Sequence, residues 1–164
     1  MFAAAGLHRA FAAAGRHGLP VNFLCWGMLD KGLPHIKQHP DTVIVIDHLG
    51  LQQPFEPPAP PKPWEELPSV LELAKYPNVA IKVSGAPSYS KLPYPFRDMH
   101  DRTRQVFDAF GPSRTFWGTD ITRMPCSYKE CVTMFTEELP WLTGADKDAV
   151  MGRALCDWIG WDLR

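Results

Sequence analysis

Thr42-Val-Ile-Val-Ile-Asp47-His48-Leu-Gly50 is the stretch that decides the fold. From Thr42 to Ile46 it is continuously apolar and β-branched, with no polar residue in alternation. An antiparallel strand with one wet face alternates, whereas a parallel strand covered on both faces does not. The run therefore reads as a parallel strand, and parallel strands need helical crossovers on either side.

Working outward, those helices can be found. Upstream, Leu29 to Gln38 reads as a helix with Asp30 near its start, Pro34 expected in its first turn, and Pro40-Asp41 ending it. Before it, Val21 to Leu24 reads as a short buried strand behind the breaker cluster Gly18-Leu19-Pro20. The first 17 residues are Ala-rich and basic without an acidic residue, a composition close to that of a transit peptide. Phe2, Leu7, Ala10, Phe11 and Ala14 nevertheless form a loose stripe at helical spacing, so a lead-in helix is expected over 1–17.

Downstream, a Pro-rich loop runs from Leu51 to about Pro63, long enough to suggest a functional segment. Trp64 to Lys75 is expected as a helix with Trp64, Leu67, Leu71 and Ala74 on one face, stopped by Pro77-Asn78. Val79 to Val83 is a third strand ending in Ser84-Gly85, and Ala86 to Phe96 a second long loop. A helix over Arg97 to Phe110 follows, then a short strand from Thr115 to Gly118. Helices are expected over Tyr128 to Glu138 and Asp146 to Ile159. This alternation is an α/β chain with one parallel sheet and right-handed crossovers. A doubly wound open sheet and part of a closed barrel both fit. An eight-stranded barrel takes about 250 residues, so four units in 164 residues make half of one, in a single domain over 1–164.

A formal net charge of -1 supplies no basic surface for nucleic acid, and no apolar run is long enough for a membrane span. A small molecule is the expected partner. Cys25, Cys126, Cys131 and Cys156 form neither a CxxC nor a zinc-finger spacing, and read as reduced, mostly buried thiols of a cytoplasmic protein.

In parallel α/β folds the chemistry sits at the C-terminal ends of the strands. The second strand ends in Asp47-His48, the third in Lys82-Val-Ser84, and the fourth in Gly118-Thr119-Asp120. Imidazole and carboxylate together are common currency in zinc hydrolase sites. Each residue alone also has a plain structural reading. The histidine could be a hydrogen-bonded strand end, the aspartate a helix N-cap, Lys82 an exposed stem with a solvated head, and Arg123 a loop charge.

Their combination is more specific. Val45-Ile-Asp-His-Leu-Gly50, a Trp-led helix, the segments Tyr76 to Gly85 and Ala109 to Asp120, and Met151 to Gly160 together resemble the amidohydrolase-related family over about residues 18 to 161. That family comprises metal-dependent hydrolases and decarboxylases built as TIM barrels. The resemblance implies a partial (β/α)₈ TIM barrel, the four C-terminal βα units of the parent. It implies His48 on the sixth barrel strand, Lys82 and Ser84 on the seventh, and Asp120 on the eighth. It also implies hydrolysis of a small lactone, amide or carboxylated ring, with decarboxylation as the alternative. Asp120 would be the general base, His48 a metal ligand or carbonyl partner, and Lys82, Ser84 and Arg123 substrate-binding groups. His48 and Asp120 would hold a divalent metal, zinc first. Arg153-Ala154 stands where the family carries Asn-Ala, and the Pro20 to Trp26 segment lacks the histidine that the fifth strand often supplies. The family's first-strand His-x-His is missing from the chain. A chain with only half of the ring of loops could therefore be a non-catalytic fragment or a small-molecule-binding module. It would expose inner-face residues such as Ile44, Ile46 and Phe116, and self-associate or wait for a missing N-terminal half.

Overall fold

In the computed structural model, which describes residues 5–162, the decisive run becomes strand β2, Ile44–Ile46. The elements before it are α1 (Ala5–Arg16), β1 (Val21–Phe23) and α2 (Leu29–Gln38). The first residues of the expected lead-in helix, 1–4, lie outside the described residues. After β2 come α3 (Leu67–Leu71), β3 (Val79–Lys82), α4 (His100–Phe110), β4 (Thr115–Phe116), α5 (Tyr128–Thr136), α6 (Gly144–Asp148) and α7 (Ala154–Ile159).

The strands form one parallel sheet in the order β1-β2-β3-β4. Val21 pairs with Ile44 and Ile44 with Val79, while Lys82 pairs with Phe116. A doubly wound sheet reverses its strand order at a switch point. Here the order never reverses, which is how consecutive units of a barrel run.

The register sorts side chains onto two faces. Phe23, Ile44, Ile46, Val79 and Ile81 share one core with Phe11 of α1, Ile36 of α2, Val70 of α3 and Val106 of α4. The opposite face carries Val45, Ala80 and Phe116, packed with Ala154 and covered by Leu155 and Trp158 of α7. The Phe116 and Trp158 rings meet edge-on at 6.0 Å. The expectation of exposed inner-face residues is therefore wrong. Ile44 and Ile46 face the helices rather than the inner side, and together with Phe116 they are fully buried. Burying a side chain of this size gains about 1.5–3 kcal/mol, so the C-terminal helix is held to the sheet by its own apolar face.

Proline and glycine account for three departures from the expected helices. Pro68 has no N–H to give to Trp64, so the helix expected from Trp64 starts at Leu67 with proline in its first turn. It continues as a 3-10 turn over Glu72–Lys75. Pro34 lies inside α2 rather than in its first turn. The last helix is not continuous: a π-helical turn, Ala149–Arg153, with non-helical Gly152, separates α6 from α7. Within that turn the Val150 carbonyl accepts the backbone N–H of Trp117 at 2.8 Å. Phe116 carbonyl faces β3, where it accepts from Val83 N–H. Trp117 N–H thus points to the outer edge of β4, and Val150 closes that edge.

Candidate active site

Each of β2, β3 and β4 delivers its polar residues at its C-terminal end, but at His48 and Asp120 left-handed turns rather than strand alternation set the direction. The chain leaves β2 at Asp47 and enters a tight turn in which His48 (φ 50) and Leu49 (φ 60) are both left-handed. Such backbone costs of order 1–3 kcal/mol per residue and persists only when overdetermined. Here Leu49 is buried, Gly50 N–H donates to Asp47 carbonyl, and the Tyr89 hydroxyl donates to His48 carbonyl at 2.9 Å. Burial and, after it, the charge of Asp120 push the Tyr89 phenol up, so it stays a donor. Asp120 is itself left-handed (φ 55, ψ 49) at the head of a 3-10 turn, Ile121–Arg123.

These turns bring four of the expected residues into one chain of contacts. Ser84 Oγ lies 2.9 Å from His48 Nδ1. His48 Nε2 lies 3.8 Å from Asp120 Oδ2, and Arg123 Nε is 3.8 Å from the same oxygen. Both 3.8 Å separations are too long for direct hydrogen bonds. His48 and Asp120 side chains are about one-fifth exposed, so the pair is open to solvent from one side. Lys82 stands apart: its Nζ pairs with Asp47 Oδ1 at 2.8 Å, a partnership the sequence reading had not assigned.

The Ser84 contact fixes the options for His48. If Ser84 donates to Nδ1, Nε2 carries the proton and can donate to a carbonyl. If Nδ1 donates to Ser84, Nε2 presents a lone pair to a cation. A catalytic zinc takes three protein ligands and one open position. No group of three or more His, Cys, Asp or Glu side chains able to hold a metal exists among the described residues. His48 and Asp120 alone fall short of that number, and the described residues do not by themselves fit the ion.

Aromatic residues that the sequence reading passed over form one wall of the site. The Arg123 guanidinium lies 4.2 Å from the Phe55 ring centroid and 5.8 Å from that of Trp26. Trp26 meets Phe55 edge-on at 4.5 Å and donates its indole N–H to Gln53 carbonyl at 2.8 Å. The Pro-rich loop is therefore tied to the site through Gln53 and Phe55. The Gln53 side chain is buried with neither amide atom hydrogen-bonded, and lies against Gly85 so closely that a Cβ there would sit 2.6 Å from Nε2. Cys25, two residues past the end of β1, is buried, and burial first, then the charges of Asp47 and Glu66, push its thiol up to about 12.

The family model described as amidohydrolase matches residues 2–157. The chain belongs to the amidohydrolase family. No curated protein sequence matches it. Among solved structures, an amidohydrolase from Burkholderia multivorans with bound zinc superposes at a TM-score of 0.76 with 22% identity, over 97% of this chain and 58% of its own. A putative 2-pyrone-4,6-dicarboxylic acid hydrolase from Pseudomonas putida gives 0.68 at 19% identity, over 96% and 56%. An uncharacterised TIM-barrel protein from Bordetella bronchiseptica gives 0.67 at 16% identity, over 98% and 52%. The chain is thus an amidohydrolase-family α/β unit with the fold of part of a TIM barrel. It spans little more than half the length of these relatives. Among the described residues no helix is long and apolar enough to cross a membrane.

Proposed function

We propose that the barrel to which this chain corresponds hydrolyses a small lactone, amide or carboxylated ring at the mouth formed by His48, Ser84, Asp120 and Arg123. The observation that carries this reading is the 3.8 Å gap between His48 Nε2 and Asp120 Oδ2, with the imidazole held from behind by Ser84. A water beside the pair, on its solvent-open side, can give a proton to Asp120 Oδ2 while its oxygen attacks the carbonyl carbon. With Ser84 donating to Nδ1, His48 Nε2–H faces the developing oxyanion and stabilises its charge. Arg123, stacked on Phe55, keeps its outer N–H groups in a plane suited to a carboxylate. Lys82 is the weaker clamp, because Asp47 already neutralises it.

A zinc ion like that of the Burkholderia relative would supply Lewis acidity, with His48 and Asp120 as two of its donors and the rest from outside the described residues. Decarboxylation by the same carboxylate and imidazole is the alternative chemistry. A non-catalytic reading is favoured by one observation: only about half of a relative's length is present.

The test is hydrolysis of carboxylated lactones and amides by the purified chain, with and without added zinc, alongside Asp120→Ala and Arg123→Gln. Loss of a positioned proton acceptor typically costs about 10² to 10⁴ in rate. Asp120→Ala is expected to lower turnover by about that factor, and Arg123→Gln to slow hydrolysis of a carboxylated lactone more than of its uncharged analogue. Turnover unchanged by Asp120→Ala would sink the assignment.

A further inference from the structure

The segment that follows Asp120 enters α5 through a sequence with two cysteines, Cys126-Ser-Tyr-Lys-Glu-Cys131. Ser127 caps the helix: its Oγ accepts Glu130 N–H, and the Glu130 carboxylate accepts Ser127 N–H at 2.8 Å, a reciprocal capping box. Cys126 is then the residue before the cap and Cys131 the fourth helical residue. Those two positions pack against each other to fix the angle at which a chain joins its helix. Usually both are inert hydrophobes. Here both are thiols, with Sγ atoms 3.5 Å apart. Cys131 is buried, while Cys126 is partly open to solvent, and both are free.

We propose that Cys126 and Cys131 are a dithiol site that closes to an intramolecular disulfide, turning the apolar clasp at the start of α5 into a covalent one. The sulfurs must approach from 3.5 Å to about 2.05 Å. The co-reactant is a small-molecule disulfide. The Cys126 thiolate attacks one of its sulfurs and expels the first thiolate, leaving a mixed disulfide. The Cys131 thiolate then attacks Cys126 Sγ and expels the second. The protein pair loses two electrons and two protons, and the reagent leaves as two thiols. Closure ties the far end of the 120–125 loop, which carries Asp120 and Arg123, to α5.

Burial and contact with Cys131 push the Cys126 thiol up to about 12, and burial raises Cys131 as well. The thiolate is therefore scarce near neutrality. Closure is expected to be slow at pH 7 and to speed up about tenfold per pH unit.

The full chain is incubated with oxidised glutathione between pH 7 and 9, quenched with acid and weighed intact. The expected product is lighter by two hydrogens, with free thiols after denaturation falling from four to two. Non-reducing trypsin digestion should join Met124–Lys129 to Glu130–Lys147, a species that dithiothreitol releases and that Cys126→Ser never forms. Four thiols remaining at pH 9, a stable glutathione adduct on Cys126 without closure, or Cys126 joined to Cys25, Cys156 or another chain would each overturn the proposal.

Discussion

His48 shows how a single residue comes to face the site. Its position two residues after Ile46 suggests the same side of the sheet as Ile44 and Ile46, yet those two point to the helices. The left-handed turn at His48 and Leu49 redirects the imidazole toward Ser84 and Asp120. The Tyr89 hydroxyl holds that turn through the His48 carbonyl. Tyr89→Phe keeps the buried ring and removes only the donor, leaving the carbonyl unpaired. The expected loss is about 1 kcal/mol, or roughly 2–4 °C in melting temperature for a domain of this size. A thermal melt checks it, and an unchanged melting temperature would show that the turn holds without Tyr89. Gly85 belongs to the same scale: its φ of 73° and its contact with Gln53 leave no room for a side chain.

Among the elements, α5 offers the cleanest test of local sequence. Ser127→Ala removes the cap and should cost about 1 kcal/mol, measurable by denaturant unfolding. Glu130→Gln, which keeps a partner for Ser127 N–H, should cost less. The packing of α1 on α2 makes a pH prediction. His8 Nδ1 lies 3.3 Å from His39 Nε2 and 3.4 Å from His35 Nδ1. Burial, then the neighbouring His8 and His35, lower the His39 pKa from its ordinary 6.5. The unfolded chain thus binds this proton more readily than the folded one. The stability that follows is complete above about pH 6.5 and is lost as pH falls toward the lowered folded value. Melting temperature should drop over that window, and His39→Gln should flatten the drop. Equal slopes in the two proteins would remove His39 as the cause.

The same scale shows what could be read from sequence. Strands β1 to β4 and helix α2 stand where apolar runs and breakers placed them, because both signals are local. Three features were not legible. Pro68 defeated a correct helical stripe through one missing N–H. Gly152 broke the last helix in an apparently regular stretch. The aromatic wall of Trp26 and Phe55 came together only because two loops distant in sequence meet over Arg123. His48, Ser84 and Asp120 were legible since parallel strands end on one rim. Lys82 was legible in position but not in partner, because its pairing with Asp47 depends on which way each side chain leaves its strand.

For the whole molecule, the two edges of the sheet are not equivalent. Val150 closes β4 at Trp117. On β1, Val21 N–H and Phe23 carbonyl are used toward β2, so the backbone of Asn22 faces outward, where no further strand pairs among the described residues. Asn22 is exposed, and Leu19 and Leu24 beside it are 59% and 49% exposed. An uncovered strand edge flanked by leucines invites pairing with another chain. The inner face is covered, so any self-association is expected to run through this edge rather than through Phe116. Sedimentation of the purified chain should show mass rising with concentration. Leu24→Lys, which sets a charge on the edge as natural edge strands do, should hold it as a monomer. Asn22→Pro, which removes the outward N–H, should do the same without altering charge. Phe116→Leu, at the covered inner face, should leave the association unchanged. A chain that stays monomeric at high concentration would show that β1 is too short to recruit a partner, and association abolished by Phe116→Leu alone would move the contact to the inner face.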